Sequence, residues 1–301
     1  MAEFTAKDVM KLREQTGAGM MDCKKALVDA DGDMDKAADL LRERGIAKAA
    51  KRASKIAAEG IVYALVEGKT GVLVEVNCES DFVAKGDKFH ALVEEVAKQI
   101  AKVKPATVEE LLASKMGGKT VDTFVQEQTA VIGEKISVRR FALYESKGFV
   151  ETYIHMGGTM GVMLDFEGAE NAETKEIAHN VALHTAFSKP SYLTADEVSP
   201  ETIEKEKAIM TQEVINEGKP EAIAEKIVLG KIKKFYEENC LMDQKFVKDD
   251  KVTIAQLIAE TAKKTPVELK NFCFFVMGQG LEKKSEDLPE EVNKQVEAMK
   301  K

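Results

Sequence analysis

Apolar positions recur along the chain with two different periods, and the places where the period changes divide it. Over residues 5–45 the spacing is helical: Val9 and Leu12, then Cys23, Ala26 and Leu27, then Met34, Ala37, Ala38, Leu40 and Leu41. Three short helices follow from this. Thr5 and Asp8 stand at capping-box spacing ahead of the first. Thr16-Gly17-Ala18-Gly19 breaks it. The second spans about Met21 to Val28, the Asp29–Asp33 stretch with Gly32 turns the chain, and Gly45 ends the third. So few residues enclose a very small core, and such a module is marginal alone. Ala47–Ala58 is Ala-rich and basic, with few large apolar residues, and reads as a helical linker.

Beyond the linker the period shortens to two. Ile61–Val66, Gly68 and Gly71–Glu75 read as a hairpin, and Phe149–Ile154, Gly157-Gly158 and Gly161–Asp165 repeat the pattern. An amphipathic helix follows each hairpin, marked by Phe89, Leu92, Val93, Val96 and Ile100 in the first case and by Ile177, Val181, Ala182 and Thr185 in the second. A strand closes each half, Ile136–Phe141 and Phe272–Val276. This order predicts an α+β fold with two related subdomains, each a small antiparallel sheet covered by helices. The expected boundaries are 1–55 for the three-helix module and linker, 56–145 and 146–285 for the subdomains, and 286–301 for a C-terminal helical tail started by Pro289.

The second half holds an insertion at about 199–242. Ser199 and Pro200 start a helix that runs to about Glu217, Gly218-Lys219-Pro220 turns it, and a second helix runs from Glu221 to about Glu238. Each would be about 27 Å long at 1.5 Å per residue. Ile203, Ile209, Met210, Val214 and Ile215 would face Ile223, Ile227, Val228, Ile232 and Phe235. Polar residues dominate both helices, so a protruding helical hairpin of coiled-coil type is expected.

One stretch falls between the periodic elements. Asn77-Cys78-Glu79-Ser80-Asp81-Phe82-Val83-Ala84-Lys85 lies where a strand stops and before the helix that starts near Asp87. Segments held between rigid elements are where binding groups tend to lie. Two readings stand: Asp81 caps the next helix and Phe82 folds into its own core, or Phe82 is a wedge for a partner with Asp81 fixing its approach. The second half carries Phe166-Glu167-Gly168-Ala169 at this point, which marks the Asp-Phe loop as an addition to a shared fold.

Composition narrows the classes. The 301 residues are 44% apolar, enough for real cores. No run approaches the ~18 apolar residues of a membrane span. Met1–Thr5 lacks a basic start and an apolar run, so a cytoplasmic protein without a signal peptide is expected. Cys23, Cys78, Cys240 and Cys273 are scattered and form no CxxC pair. The net charge of −8 argues against a protein that coats phosphates, and the absence of Trp removes one stacking platform.

Tests for chemistry fail one after another. Asp29, Asp31, Asp33 and Asp35 imitate a calcium loop, but glycine falls at the wrong position and Leu40 stands where the bidentate Glu belongs. His179 and His184 lie about 140° apart around a helix and do not share a face. Cys78 with His155 is a thiol and a base without a signature, and Gly117-Gly118-Lys119-Thr120 lacks the earlier glycine of a phosphate loop. An interaction protein becomes the leading class. An RNA- or ribosome-binding module working through Lys48, Lys51, Arg52 and Lys55 is the alternative.

Thr16-Gly17-Ala18-Gly19-Met20-Met21-Asp22-Cys23-Lys24-Lys25-Ala26-Leu27 resembles the N-terminal signature of the bacterial translation elongation factor Ts family. Glu75 through Lys85 resembles its second signature, with Ser80 where the family usually has Thr. Tyr153-Ile154-His155 with Gly157-Gly158 and Gly161-Val162 resembles a third stretch, with Thr159 in place of the usual Arg. The resemblance runs over essentially the whole chain. It implies a non-enzymatic guanine-nucleotide exchange factor for elongation factor Tu, needing no cofactor of its own, since Mg²⁺ and GDP belong to the partner. It implies a ubiquitin-associated-like N-terminal module docking on the partner's nucleotide domain, with Val9, Leu12, Met20, Met21 and Lys24 as candidate contacts. Ser80, Asp81, Phe82 and Val83 would enter that domain and help dislodge Mg²⁺, and His155 would lie near a second contact. No direct nucleic-acid or membrane contact is implied, and a dimer of heterodimers is an allowed assembly.

Overall fold

The structure, a computed structural model, describes residues 4–218 and 221–282, with the side chains of 221–223 left aside. The expected tail at 286–301 with Pro289, and the Lys219-Pro220 turn, lie outside the described residues.

Helices α1 (Ala6–Thr16), α2 (Met20–Asp29) and α3 (Met34–Arg52) form the N-terminal module. The Thr5–Asp8 capping box starts α1, and Gly17 ends it in the left-handed region at φ 68°. Val9, Leu12, Cys23, Ala26, Leu27, Ala37 and Leu41 close the core. Two expectations are corrected here. Gly45 does not end the third helix, and no separate linker helix follows it: α3 continues to Arg52, and Gly45 is buried inside it. The reason is tertiary. The helix packs on α7 (Val121–Ile132), and a Cβ built on Gly45 would lie 3.0 Å from the Ala130 Cβ. Arg42 pairs with Glu127 across the same seam at 2.7 Å.

The first subdomain runs β1 (Glu59–Glu67), β2 (Thr70–Cys78), α4 (Asp81–Ala84), α5 (Asp87–Val103), α6 (Val108–Ala113), the small hairpin β3 (Lys115–Met116) and β4 (Lys119–Thr120), α7, and β5 (Ser137–Glu145). The second runs β6 (Phe149–His155), β7 (Met160–Gly168), α8 (Ala172–Ser188), α9 (Pro200–Asn216), α10 (Glu221–Asn239), the hairpin β8 (Lys245–Phe246) and β9 (Asp249–Thr253), α11 (Ile254–Ala262), and β10 (Val267–Val276). Sheet orders are β1-β2-β5 and β6-β7-β10, antiparallel throughout. The two halves therefore share one topology, and the fold is α+β with small helix-covered sheets.

Each sheet is covered on one face by its own helices; the other faces pack against each other. Along β2, Val72, Val74, Val76 and Cys78 face the helices, while Leu73 joins Val62, Val150 and Met163 in the seam between sheets. In β7, Val162, Leu164 and Phe166 face helices and Met163 faces the seam. Both central strands are thus buried on both faces, which is why they read as near-continuous apolar runs. The repeat also places Gly71 and Gly161 at equivalent seam positions. A Cβ on Gly71 would fall 2.6 Å from Val150, and one on Gly161 would fall 2.6 Å from Val62.

The arm α9–α10 closes on its own small core of Val214, Ala224, Val228 and Ile232. Ile209 and Ile215, expected to face α10, instead lie exposed. At the arm's base the Asn239 carbonyl accepts from the Ser191 and Tyr192 amides.

Candidate functional site

The strand-to-helix junction after β2 is built by capping. Ser80 has extended φ/ψ and caps α4, its Oγ accepting from the Val83 N–H at 3.4 Å. Ala84 and Cys78 anchor the turn in the first core, and Val83 packs against it. That leaves Phe82 on the outer side of a single helical turn, 85% exposed. The reading of a ring folded into its own core, with Asp81 capping the helix that starts near Asp87, is overturned: Ser80 caps α4, Gly86 precedes α5 with no side-chain cap, and the ring stands in solvent. Burying a Phe is worth roughly 1.5–3 kcal/mol, so this ring carries a stabilisation that the free chain does not realise.

Two carboxylates hold the junction from behind. Glu134, between α7 and β5, accepts from the Glu79 N–H at 3.1 Å, the Ser80 N–H at 2.9 Å and the Ser80 hydroxyl at 2.6 Å. Glu79 in turn accepts from the Lys135 N–H at 2.6 Å and from Arg52 Nη1 at 2.7 Å. Burial works to raise the Glu79 carboxyl, but the Lys135 amide and the Arg52 guanidinium outweigh it and hold it below its ordinary value. Asp81 is exposed and takes a hydrogen bond from Lys85 at 2.7 Å, which lowers its carboxyl. Ser80, Asp81, Phe82 and Val83 thus sit together on one short turn.

The remaining candidates are spread over the surface. Met20, Met21 and Lys24 are exposed on α2, and Met10 and Val28 join the same module's exposed apolar residues. Val9 and Leu12 are a correction: both are buried in the module core, where they hold α1 to its neighbours and offer no contact surface. His155 is exposed at the end of β6, with Tyr153 Oη 2.8 Å from its Nδ1 and the exposed Met156 beside it. Thr159 donates to the His155 carbonyl.

Sequence reasoning missed the carboxylates. In the sequence Glu79 is only one letter of a motif, and Glu134 lies in Gly133-Glu134-Lys135, which has no periodicity to mark it. It also missed Glu75, buried on the seam face of β2, where it meets Arg139, Arg140 and the Gly278 amide.

Burial pushes the Cys78 thiol up to about 12, so it stays protonated and donates to the Ser80 carbonyl. No group of three His, Cys, Asp or Glu suited to a metal occurs among the described residues. The basic stripe is half engaged already, Lys48 with Asp22 and Arg52 with Glu79. No helix among the described residues is long and apolar enough to cross a membrane.

A family model described as Elongation factor TS matches residues 79–279. An elongation factor Ts of Halothermothrix orenii is 45% identical over 298 residues, covering 97% of this chain and 98% of its own length. One of Clostridium kluyveri is 47% identical over 303 residues, covering 98% and 99%. The chain belongs to the elongation factor Ts family. With membership comes the family's general role, guanine-nucleotide exchange in the elongation phase of protein synthesis. In family terms the junction from Glu79 to Ala84 opens the matched region, so the exposed ring lies inside it.

Proposed function

We propose that the chain binds elongation factor Tu in its GDP form and speeds GDP release with the Ser80–Val83 turn, Phe82 entering between packed elements of the nucleotide domain. The observation that carries this is the ring itself: a large apolar side chain, exposed in the free chain, on a turn fixed by five hydrogen bonds from neighbouring backbone and side chains. Packed interiors shift discretely rather than deform smoothly, so a wedge moves its neighbours as a unit. Asp81 adds a carboxylate beside the ring, placed to compete for the surroundings of the partner's Mg²⁺. In such a GTPase the metal bridges phosphates and switch elements, and displacing it loosens the nucleotide.

No covalent step is required. The chain need only bind the nucleotide-free partner more tightly than the GDP form, and by linkage GDP weakens its binding by the same factor. Met20, Met21 and Lys24 are the proposed contacts on the N-terminal module, and His155 the proposed contact on the second subdomain.

The test is release of a fluorescent GDP analogue from purified elongation factor Tu. Phe82→Ala is expected to slow catalysed release at least about tenfold, given that small misplacements in such sites cost up to ~10²-fold. The melting temperature should stay put, because the ring makes little of the fold. Undiminished release by a folded Phe82→Ala chain overturns the wedge.

A further inference from the structure

We propose that Glu134 is the positioning residue for Phe82; the inference rests on the reading that the ring enters a partner. An exposed ring has few contacts of its own to aim it. Its direction is set by the backbone of residues 79–83, and Glu134 is the group that grips that backbone from outside the turn. Its carboxylate accepts from two consecutive main-chain amides and from the capping hydroxyl, all within three residues of the ring. The grip is reciprocal. Glu134 holds the Glu79 amide, and the Glu79 carboxylate holds the amide of Lys135. Lys135 extends the clasp to the end of α3, its Nζ donating to the Ala53 and Lys55 carbonyls at 2.7 and 2.9 Å.

The chemistry suits positioning more than stability. Glu134 is half-buried, and no cation among the described residues pairs with it. Three donors converge on one anion, an arrangement that fixes direction because charge-assisted hydrogen bonds are short and strongly oriented.

The experiment is a double-mutant cycle on exchange, with release rates measured over a range of chain concentrations so that maximal rate and half-saturation separate. Glu134→Ala is expected to lower the maximal rate on the order of tenfold with half-saturation little changed, the mark of a misaimed wedge on an intact docking surface. In the Phe82→Ala background the same substitution should have no further effect. An equal loss in both backgrounds overturns the positioning role while leaving the wedge reading standing. No loss from Glu134→Ala alone does the same. No loss from Phe82→Ala takes down both. Should Glu134→Ala melt early, Glu134→Gln, which keeps the shape but turns an amide toward donors, carries the cycle.

Discussion

Replacing Glu75 by Gln changes almost no volume and removes one buried negative charge, so its effect follows closely from the contacts. The carboxylate is fully buried and accepts from Arg139 Nη1 at 2.9 Å, Arg140 Nε at 2.6 Å, the Gly278 N–H at 2.8 Å and Asn77 Nδ2 at 3.3 Å. Two of those partners lie on β5 and one follows β10, so the group ties the first sheet to the end of the second. Breaking a buried ion pair costs about 3–5 kcal/mol. The arginines are partly solvated, at 24% and 32% exposed, which pulls the expectation to the low end, ~2–3 kcal/mol. For a folding unit of this size that is a melting point lower by roughly 4–12 °C.

Burial works to raise the Glu75 carboxyl, but the Gly278 amide and the two guanidinium groups override it and leave it below its ordinary 4.5. A carboxyl depressed in the folded state adds stability that is fully present above 4.5 and disappears as pH falls through the folded-state value. In strong acid the wild-type side chain is a neutral isostere of Gln. Melts of wild type and Glu75→Gln should therefore differ at neutral pH and converge in acid. A gap of the same size at both ends, or none at neutral pH, refutes the reasoning.

Two further outcomes are expected. His184 is buried and lowered by desolvation, its Nδ1 accepting from the Val247 N–H and its Nε2 meeting Gln244, so it stabilises the fold as the neutral ring. Stability should fall as pH drops below the ordinary 6.5, and urea midpoints of a His184→Gln variant should lose that slope. Gly71→Ala should cost about 1–3 kcal/mol by overpacking the seam, read as a lower denaturation midpoint with unchanged slope.

The fold was legible where period and repeat carry the information. The paired hairpins, the helices after them and the arm all follow from spacing, and Thr5 and Ser199 cap where capping chemistry says they should. The seam between the sheets was not legible, although Gly71 and Gly161 stand at matching places in the repeat, because a glycine in a strand does not say what approaches it. Gly45 misled for a related reason: a glycine in a helix can mark an end or a close neighbour, and here Ala130 decides. At the site, Phe82 stood out as an aromatic on a short connection, but its exposure could not be read from its type. Glu134 had no local signal, since its partners lie more than fifty positions away.

The continuity of α3 has a consequence of its own. A module on a floppy tether would search space and tolerate partners of many shapes. Here nineteen residues of unbroken helix, clamped at Gly45 and again at Arg52, make a rod of about 28 Å at 1.5 Å per residue. The exposed methionines at the start of α2 lie beside the last turns of α3, where Asp22 pairs with Lys48, and the ring follows the Arg52–Glu79 pair one turn further on, so the two apolar features hold one fixed spacing.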